Sequence, residues 1–173
     1  MSVNPRIVIA ALSLSAAGLV GLVGYEGYTD KAVIPIPGDV PTIGFGTTEG
    51  VQLGDKTTPP KALARALTDI GKYEGALKTC VKVELHQREY DAFVSLAYNI
   101  GPTAFCRSTL VRELNQLEYE SACNHITDFV CGPATESTRA KPGEKCYSKT
   151  KPMRVVQGLV NRREAERKLC LGE

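Results

Sequence analysis

The sequence predicts an α+β domain, mainly α, with a small β-hairpin element near the N-terminus and a helical lobe after it. Apolar residues recur at helical spacing through most of the chain beyond residue 58. One short stretch before it, residues 31 to 48, instead mixes β-branched residues with Pro-Gly-Asp and repeated glycines. A length of 173 residues is about one domain with its own core. With 43% apolar and 23% charged residues, the composition excludes collagen, coiled coil and wholesale disorder.

At the N-terminus, Arg6 is followed by nineteen uncharged residues, Ile7 to Tyr25, before Glu26 ends the run. That length just spans a bilayer. Nine of the nineteen are Gly, Ala or Ser, with Gly18, Gly21 and Gly24 on a three-residue period, so the hold on lipid is expected to be weak. Three readings stand: a permanent anchor, a signal peptide cut after Ser15-x-Ala17, or an anchor that enters the membrane and later leaves it. The expected division is residues 1–25 as this segment and 26–173 as the folded domain.

The segment KAVIPIPGDVPTIGFGTT at 31 to 48 reads as an irregular, exposed hairpin. Thr58-Pro59-Pro60 is a helix start leading to Cys80, with Ala64, Leu67, Ile70 and Leu77 expected on the buried face. QREYDAFVSLAYNIG follows as a second helix, with Tyr90, Phe93, Leu96 and Ala97 inward and Gly101-Pro102 as its stop. Shorter helices are expected at STLVRELN and YESACNHITDF. Residues 132 to 152, rich in Gly, Pro, Ser and Thr, form a long loop, and a basic helix is expected from Met153 to Leu169.

Six cysteines, Cys80, Cys106, Cys123, Cys131, Cys146 and Cys170, show no C-x-x-C pair and no metal-ligand spacing. Disulfides are the better reading, with fifteen possible pairings and an oxidising compartment implied. His86 and His125 carry no ligand spacing either; no cofactor and no metal are indicated. A net charge of +2 is too small for a nucleic-acid binder, although residues 139 to 173 hold 10 Lys/Arg against 4 Asp/Glu, which favours an anionic partner or a solvated helix face.

The residues with catalytic chemistry sit just after the apolar run. Glu26, Asp30, Asp39 and Thr42 put carboxylates and a hydroxyl on the junction and the hairpin. Glycosidic cleavage needs such a set, since one carboxyl protonates the leaving oxygen while another stays ionised to activate water or stabilise positive charge. By pattern alone, Asp39 is equally a turn former and Glu26 a helix-end charge. Asn99 reads as a helix-end residue or as facing a cleft. Arg162 and Arg163 read as a solvated face, as partners of hairpin carboxylates or as binders of anionic polymer.

Five blocks in order, YEG at Tyr25 to Gly27, GDVPTIGFGTT at Gly38 to Thr48, QREYDAFVSLAYNIG at Gln87 to Gly101, STLVRELN at Ser108 to Asn115 and GLVNRREAER at Gly158 to Arg167, resemble the phage lysozyme family, glycoside hydrolase family 24. Within it the chain looks most like the signal-arrest-release endolysins. The resemblance implies a lysozyme-like fold and a muramidase that cuts the β-1,4 bond between N-acetylmuramic acid and N-acetylglucosamine, lysing the host. It implies glycan strands of peptidoglycan as substrate, transient inner-membrane association through residues 7–25, and action in the periplasm as a monomer. The family acid maps onto Glu26, where an apolar cleft wall is expected to favour the protonated form. Thr42 matches the threonine that holds the attacking water. The family aspartate falls on Pro35 and Ile36, neither an acid or base, so Asp39 is the expected substitute and Asp30 the next. The alternative is a catalytically impaired periplasmic peptidoglycan-binding protein on the same scaffold.

Overall fold

A computed structural model describes residues 5–35 and 39–173; Ile36 and the Gly38 turn of the expected hairpin lie outside the described residues. The uncharged N-terminal run does not form one helix. Ile7 pairs through its backbone with Leu85 at 2.9 and 3.0 Å, Ile9–Ala11 makes a 3-10 turn, and helix α1 starts only at Ala16, running to Glu26. Ser15 sets that start, its hydroxyl accepting from the Gly18 N–H as an N-cap. Gly27, with φ of +69°, ends the helix, a conformation glycine adopts without strain. Ile9, Leu12 and Leu22 join the main core, so this run is packed into the domain. Among the described residues no helix is long and apolar enough to cross a membrane.

Strand β1 (Thr29–Val33) pairs antiparallel with β2 (Thr42–Gly44), Thr29 opposite Gly44 and Val33 opposite Thr42, with a register shift between. The hairpin is therefore irregular, as its Pro and Gly content predicts. Its outer edge is closed by Ala32 and Asp30, which bond to Asp55 and Thr57. Gly44 lies against helix α2 (Pro59–Cys80): a Cβ there would fall 2.8 Å from the Ala62 Cβ.

Helix α2 begins after Thr58 with two prolines in its first turn, as the sequence predicts. Its buried face is Ala62, Ala66, Ile70 and Leu77, whereas Ala64 and Leu67 face outward. The inward row steps by four from Ala62 to Ile70 and then by seven to Leu77, the row that meets α3 and the hairpin, which corrects the expected face. Helix α3 (Gln87–Ile100) is buried through every residue from Glu89 to Ala97, not on the Tyr90/Phe93/Leu96 side alone. It is the central helix, with α2 and α4 (Pro102–Cys106) on one side and α1 and α7 (Gln157–Leu171) on the other. Polar residues Asp91 and Ser95 on its α1/α7 side are therefore inside the protein.

Helices α5 (Thr109–Leu114) and α6 (Tyr119–Asn124), the latter continued by a 3-10 turn His125–Asp128, fall where the sequence places them. The last helix starts later than expected. Met153–Val155 is strand β4, paired with β3 (Cys131–Pro133), because Pro152 and the Val155-Val156 pair favour extended backbone. The six cysteines pair as Cys80–Cys106, Cys123–Cys170 and Cys131–Cys146. These tie α2 to α4, α6 to α7, and the 132–152 loop to β3.

Two predictions follow from this packing. The bridge closing the longest segment, 47 residues for Cys123–Cys170, constrains the unfolded chain most. Its double replacement by Ser is expected to lower unfolding free energy by about 4 kcal/mol, against about 3 for the 15-residue Cys131–Cys146 loop, in urea titrations. The His125 imidazole is raised above its ordinary 6.5, first by its hydrogen bond to Asp128 and also by Glu113. The stability this contributes is complete below pH 6.5 and lost as pH rises through the higher folded value. His125→Asn should flatten the stability profile over that window.

Candidate active site

Glu26 is the last residue of α1, and the glycine turn after it leaves its side chain facing the hairpin rather than solvent. The carboxyl is held from the opposite end of the chain. Arg162 Nη1 on α7 donates to Glu26 Oε1 at 2.8 Å, with side chains only 6% and 18% exposed. The same guanidinium lies 4.8 Å from the centre of the Tyr25 ring. Oε2 points at the hairpin, where a Cβ on Gly46 would sit 3.1 Å away. Gly46 has φ of +83°, a backbone conformation that favours glycine.

Behind Arg162 lies a buried charge cluster. Arg162 Nε donates to Glu166 Oε1 at 3.1 Å, Ser95 Oγ donates to the same oxygen at 2.6 Å, and Arg162 Nη2 reaches the Ser95 carbonyl at 3.3 Å. Arg163, fully buried, donates through Nη2 to Glu166 Oε1 at 3.1 Å. Its Nε stands 2.8 Å from Oε2 but is not aligned for a hydrogen bond, so that contact is an ion pair. Burial pushes the Glu166 carboxyl up, opposed by Arg163, Ser95 and Arg162, and pushes the Arg163 guanidinium down. Two arginines and two carboxyls thus partner one another, the condition for keeping such groups inside.

Glu26 opens on a cleft of about 400 Å³ between the hairpin side and the helical lobe. Tyr73 and Tyr98, ring centres 4.9 Å apart, form one wall, and Tyr98 fixes the hairpin by donating to the Phe45 carbonyl at 3.0 Å. Burial raises both phenols, with the Glu26 and Asp69 charges adding to it, so each stays a neutral hydroxyl at ordinary pH. Asp69 lines the cleft and accepts from Thr47 Oγ1 at 2.8 Å; Glu49 and Lys72 pair at the rim. Asn99 also lines it, placing that residue on the cleft.

The cleft thus brings Glu26 to a polar, aromatic wall, not the apolar one expected. Asp39 and Thr42 are not among its lining residues. Asp39 is exposed, its Oδ1 accepting from the Val40 N–H at 2.8 Å, and Thr42 donates to the Val40 carbonyl at 3.2 Å. Asp30 is exposed on β1. Arg162 and Arg163 face neither polymer nor hairpin carboxylates but Glu26 and Glu166. Spacing offered one signal for this, the i,i+4 relation of Arg162 to Glu166. Nothing in the sequence pairs Arg162 with a residue 136 positions away.

A shielded carboxyl at a helix end, facing a hydroxyl-rich aromatic cleft between a hairpin and a helical lobe, defines a lysozyme-like glycosidase architecture. Comparison with known proteins narrows the class. The model of the phage lysozyme family matches residues 23–166. The SAR-endolysin of Pseudomonas phage phiKMV is 36% identical over 156 residues, 90% of this chain and 87% of that protein. Among solved structures, the muramidase domain of SpmX from Asticaccaulis excentricus superposes with a TM-score of 0.77 at 26% identity, covering 92% of this chain and 97% of that one. The active form of P1 phage endolysin Lyz, 24% identical, shares the fold with a TM-score of 0.72 over 98% of this chain and 96% of its own, against 0.52 for the secreted inactive form. The chain belongs to the phage lysozyme family.

Arg162→Ala would leave Glu166 and Glu26 without their shared cation. Loss of one partner from a buried pair is expected to cost about 3–5 kcal/mol in urea unfolding. Arg112→Ala, at a side chain 66% exposed, should cost less than about 1 kcal/mol.

Proposed function

We propose that the chain is an endolysin, a muramidase hydrolysing the β-1,4 bond between N-acetylmuramic acid and N-acetylglucosamine in bacterial peptidoglycan, with host lysis as the outcome. The observation that carries this is the Glu26 carboxyl at the cleft, one oxygen fixed by Arg162 and the other directed past Gly46. A guanidinium accepts no hydrogen bond, so a proton on this carboxyl resides on Oε2, the oxygen nearer the hairpin. From there it passes to the glycosidic oxygen as the bond to the anomeric carbon breaks. Tyr73, Tyr98 and Asn99 offer ring faces and polar groups along the glycan.

In this reading Asp39 and Thr42 act from the hairpin, the carboxylate taking a proton from the attacking water and the hydroxyl orienting it. Their support is their place on the β1–β2 hairpin, whose extension through Phe45 and Gly46 touches Tyr98 and Glu26. Asp30 is the second choice.

Residues 1–25 form a releasable anchor and 26–173 the catalytic domain, so the protein is tethered to the host inner membrane, facing the periplasm, and then acts in the periplasm as a monomer. SAR-endolysin relatives and the uncharged Ile7–Tyr25 run support this. A helix of nineteen residues is about 28 Å long, enough for a span, whereas α1 has eleven residues, so release must break the longer helix at Ser15. With no cysteine before Cys80, refolding rather than thiol exchange is the control.

Glu26→Gln should lower muropeptide release from purified peptidoglycan by about 10²–10⁴-fold. Asp39→Asn should also be impaired, with Asp30→Asn less so. Mass spectrometry should show reducing-end products; 1,6-anhydro ends would mean a transglycosylase, and an active Glu26→Gln would overturn the assignment.

A further inference from the structure

Helix α1 carries Glu26 at its C-terminal end, and its own apolar packing is sparse. Leu22 is its one buried residue, and a Cβ added at Gly21 or Gly24 would meet nothing within 4 Å. An apolar-lined cavity of about 160 Å³ lies alongside it, bordered by Gly18, Gly21, Leu22 and Leu169. The apolar packing of α1 is thus confined to Leu22 and the half-buried Leu19 and Val23, and its glycine face adds none.

Its N-terminal end is fixed instead by hydrogen bonds. Asp91, 6% exposed on α3, takes the Ser15 N–H on Oδ1 at 2.9 Å and the Ser15 hydroxyl on Oδ2 at 2.5 Å, while that hydroxyl accepts the Gly18 N–H at 3.0 Å. Gln87 Nε2 bridges Asp91 Oδ1 and the Ser13 carbonyl at 2.9 and 2.8 Å. Glu74 takes the Leu14 N–H at 2.8 Å and is held by the Tyr90 hydroxyl at 2.8 Å. Gly18 lies flush on Asp91: a Cβ there would fall 2.9 Å from the Asp91 Cγ and 2.8 Å from the Leu14 Cδ1.

We propose that Asp91, acting through Ser15, is the positioning residue for Glu26: it sets where α1 begins and so where its last side chain stands. An α-helix turns about 100° and rises about 1.5 Å per residue. A cap displaced by one residue would therefore swing Glu26 off Arg162 and Gly46. Arg162 alone does not define the geometry, because it binds the group being positioned and leaves the helix start free. The proposal rests on Glu26 being the acid, and it adds a residue that touches neither substrate nor cleft.

The test uses purified full-length protein turning over peptidoglycan. Asp91→Asn and Ser15→Ala are expected to lower kcat by about tenfold to a hundredfold, the scale of a small misplacement of a reacting group, with KM within about twofold. Ser15→Thr, which keeps a capping hydroxyl, should restore most of it. Gly18→Ala should reproduce the loss and Gly21→Ala should not. Helix propensity alone would make both alanines neutral or favourable, so the pair separates docking from helix stability. In a Glu26→Gln background, Asp91→Asn should add no further loss. Full kcat in Asp91→Asn and Gly18→Ala, or an added loss in the Glu26→Gln background, overturns the proposal. A fully active Glu26→Gln would instead remove the acid assignment beneath it.

Discussion

An arginine near the C-terminus meets a glutamate near the N-terminus, and the rest of the site is arranged around that contact. Arg162 is 6% exposed, and an isolated cation at that depth would be costly. It is retained because Glu166 takes one side of its guanidinium and Glu26 the other, with Ser95 and Arg163 completing the Glu166 carboxylate. The cluster is complete only with α1 in place. Removing α1 takes the Glu26 carboxyl from Arg162 and leaves two cations facing one carboxylate. The helix that carries the proposed acid is thus also the helix that partners the buried cation, which couples that group to a stability requirement.

Two of the three disulfides bear on that coupling. Arg162, Arg163 and Glu166 lie on consecutive turns of α7, so the placement of α7 decides whether they reach α3 and α1. The Cys123–Cys170 bridge fixes the end of α7 to α6, and Cys131–Cys146 holds the long loop to the β3–β4 pair from which α7 departs. None of the three bridges involves the N-terminal run, as no cysteine precedes Cys80. The frame is cross-linked; the element carrying Glu26 is held to it by hydrogen bonds, ion pairs and a few apolar contacts.

The division between what the residues announce and what they conceal follows the same line. Elements determined locally were legible: the two prolines after Thr58 start α2, Gly101-Pro102 ends α3, and the Pro/Gly-rich stretch makes an irregular hairpin. Elements determined by neighbours were not. Leu67 looks inward by composition yet is half exposed, because the row stepping from Ala62 by fours is the one met by other elements. Asp91 and Ser95 are polar residues on α3 that α1 and α7 cover, and each bonds to a residue far along the chain, 76 and 71 positions away. Glu26 was legible as the candidate acid from the ordered blocks around it. Its cation was not, since no local pattern encodes a contact spanning 136 residues. The second carboxylate remained open because Pro35 and Ile36 occupy the family position and Asp39 stands on a hairpin whose register is irregular.

The small residues of the N-terminal run separate into two groups once the packing is known. Gly18 is required by the folded state: no larger side chain fits between Leu14 and Asp91. Gly21 and Gly24 face open space, and alanine at either would favour the helix by about 1 kcal/mol. The folded protein therefore gives no reason for these two glycines. The proposed release from the membrane would give one, because each residue that lowers helix stability and apolar surface weakens the hold of the segment on lipid. Ser15 joins the two requirements. In the proposed inserted helix its hydroxyl has only a carbonyl of the preceding turn to bond; in the folded domain it caps α1 and bonds to a buried carboxylate. The same side chain thus gains partners on docking, which is the direction that the proposed release requires.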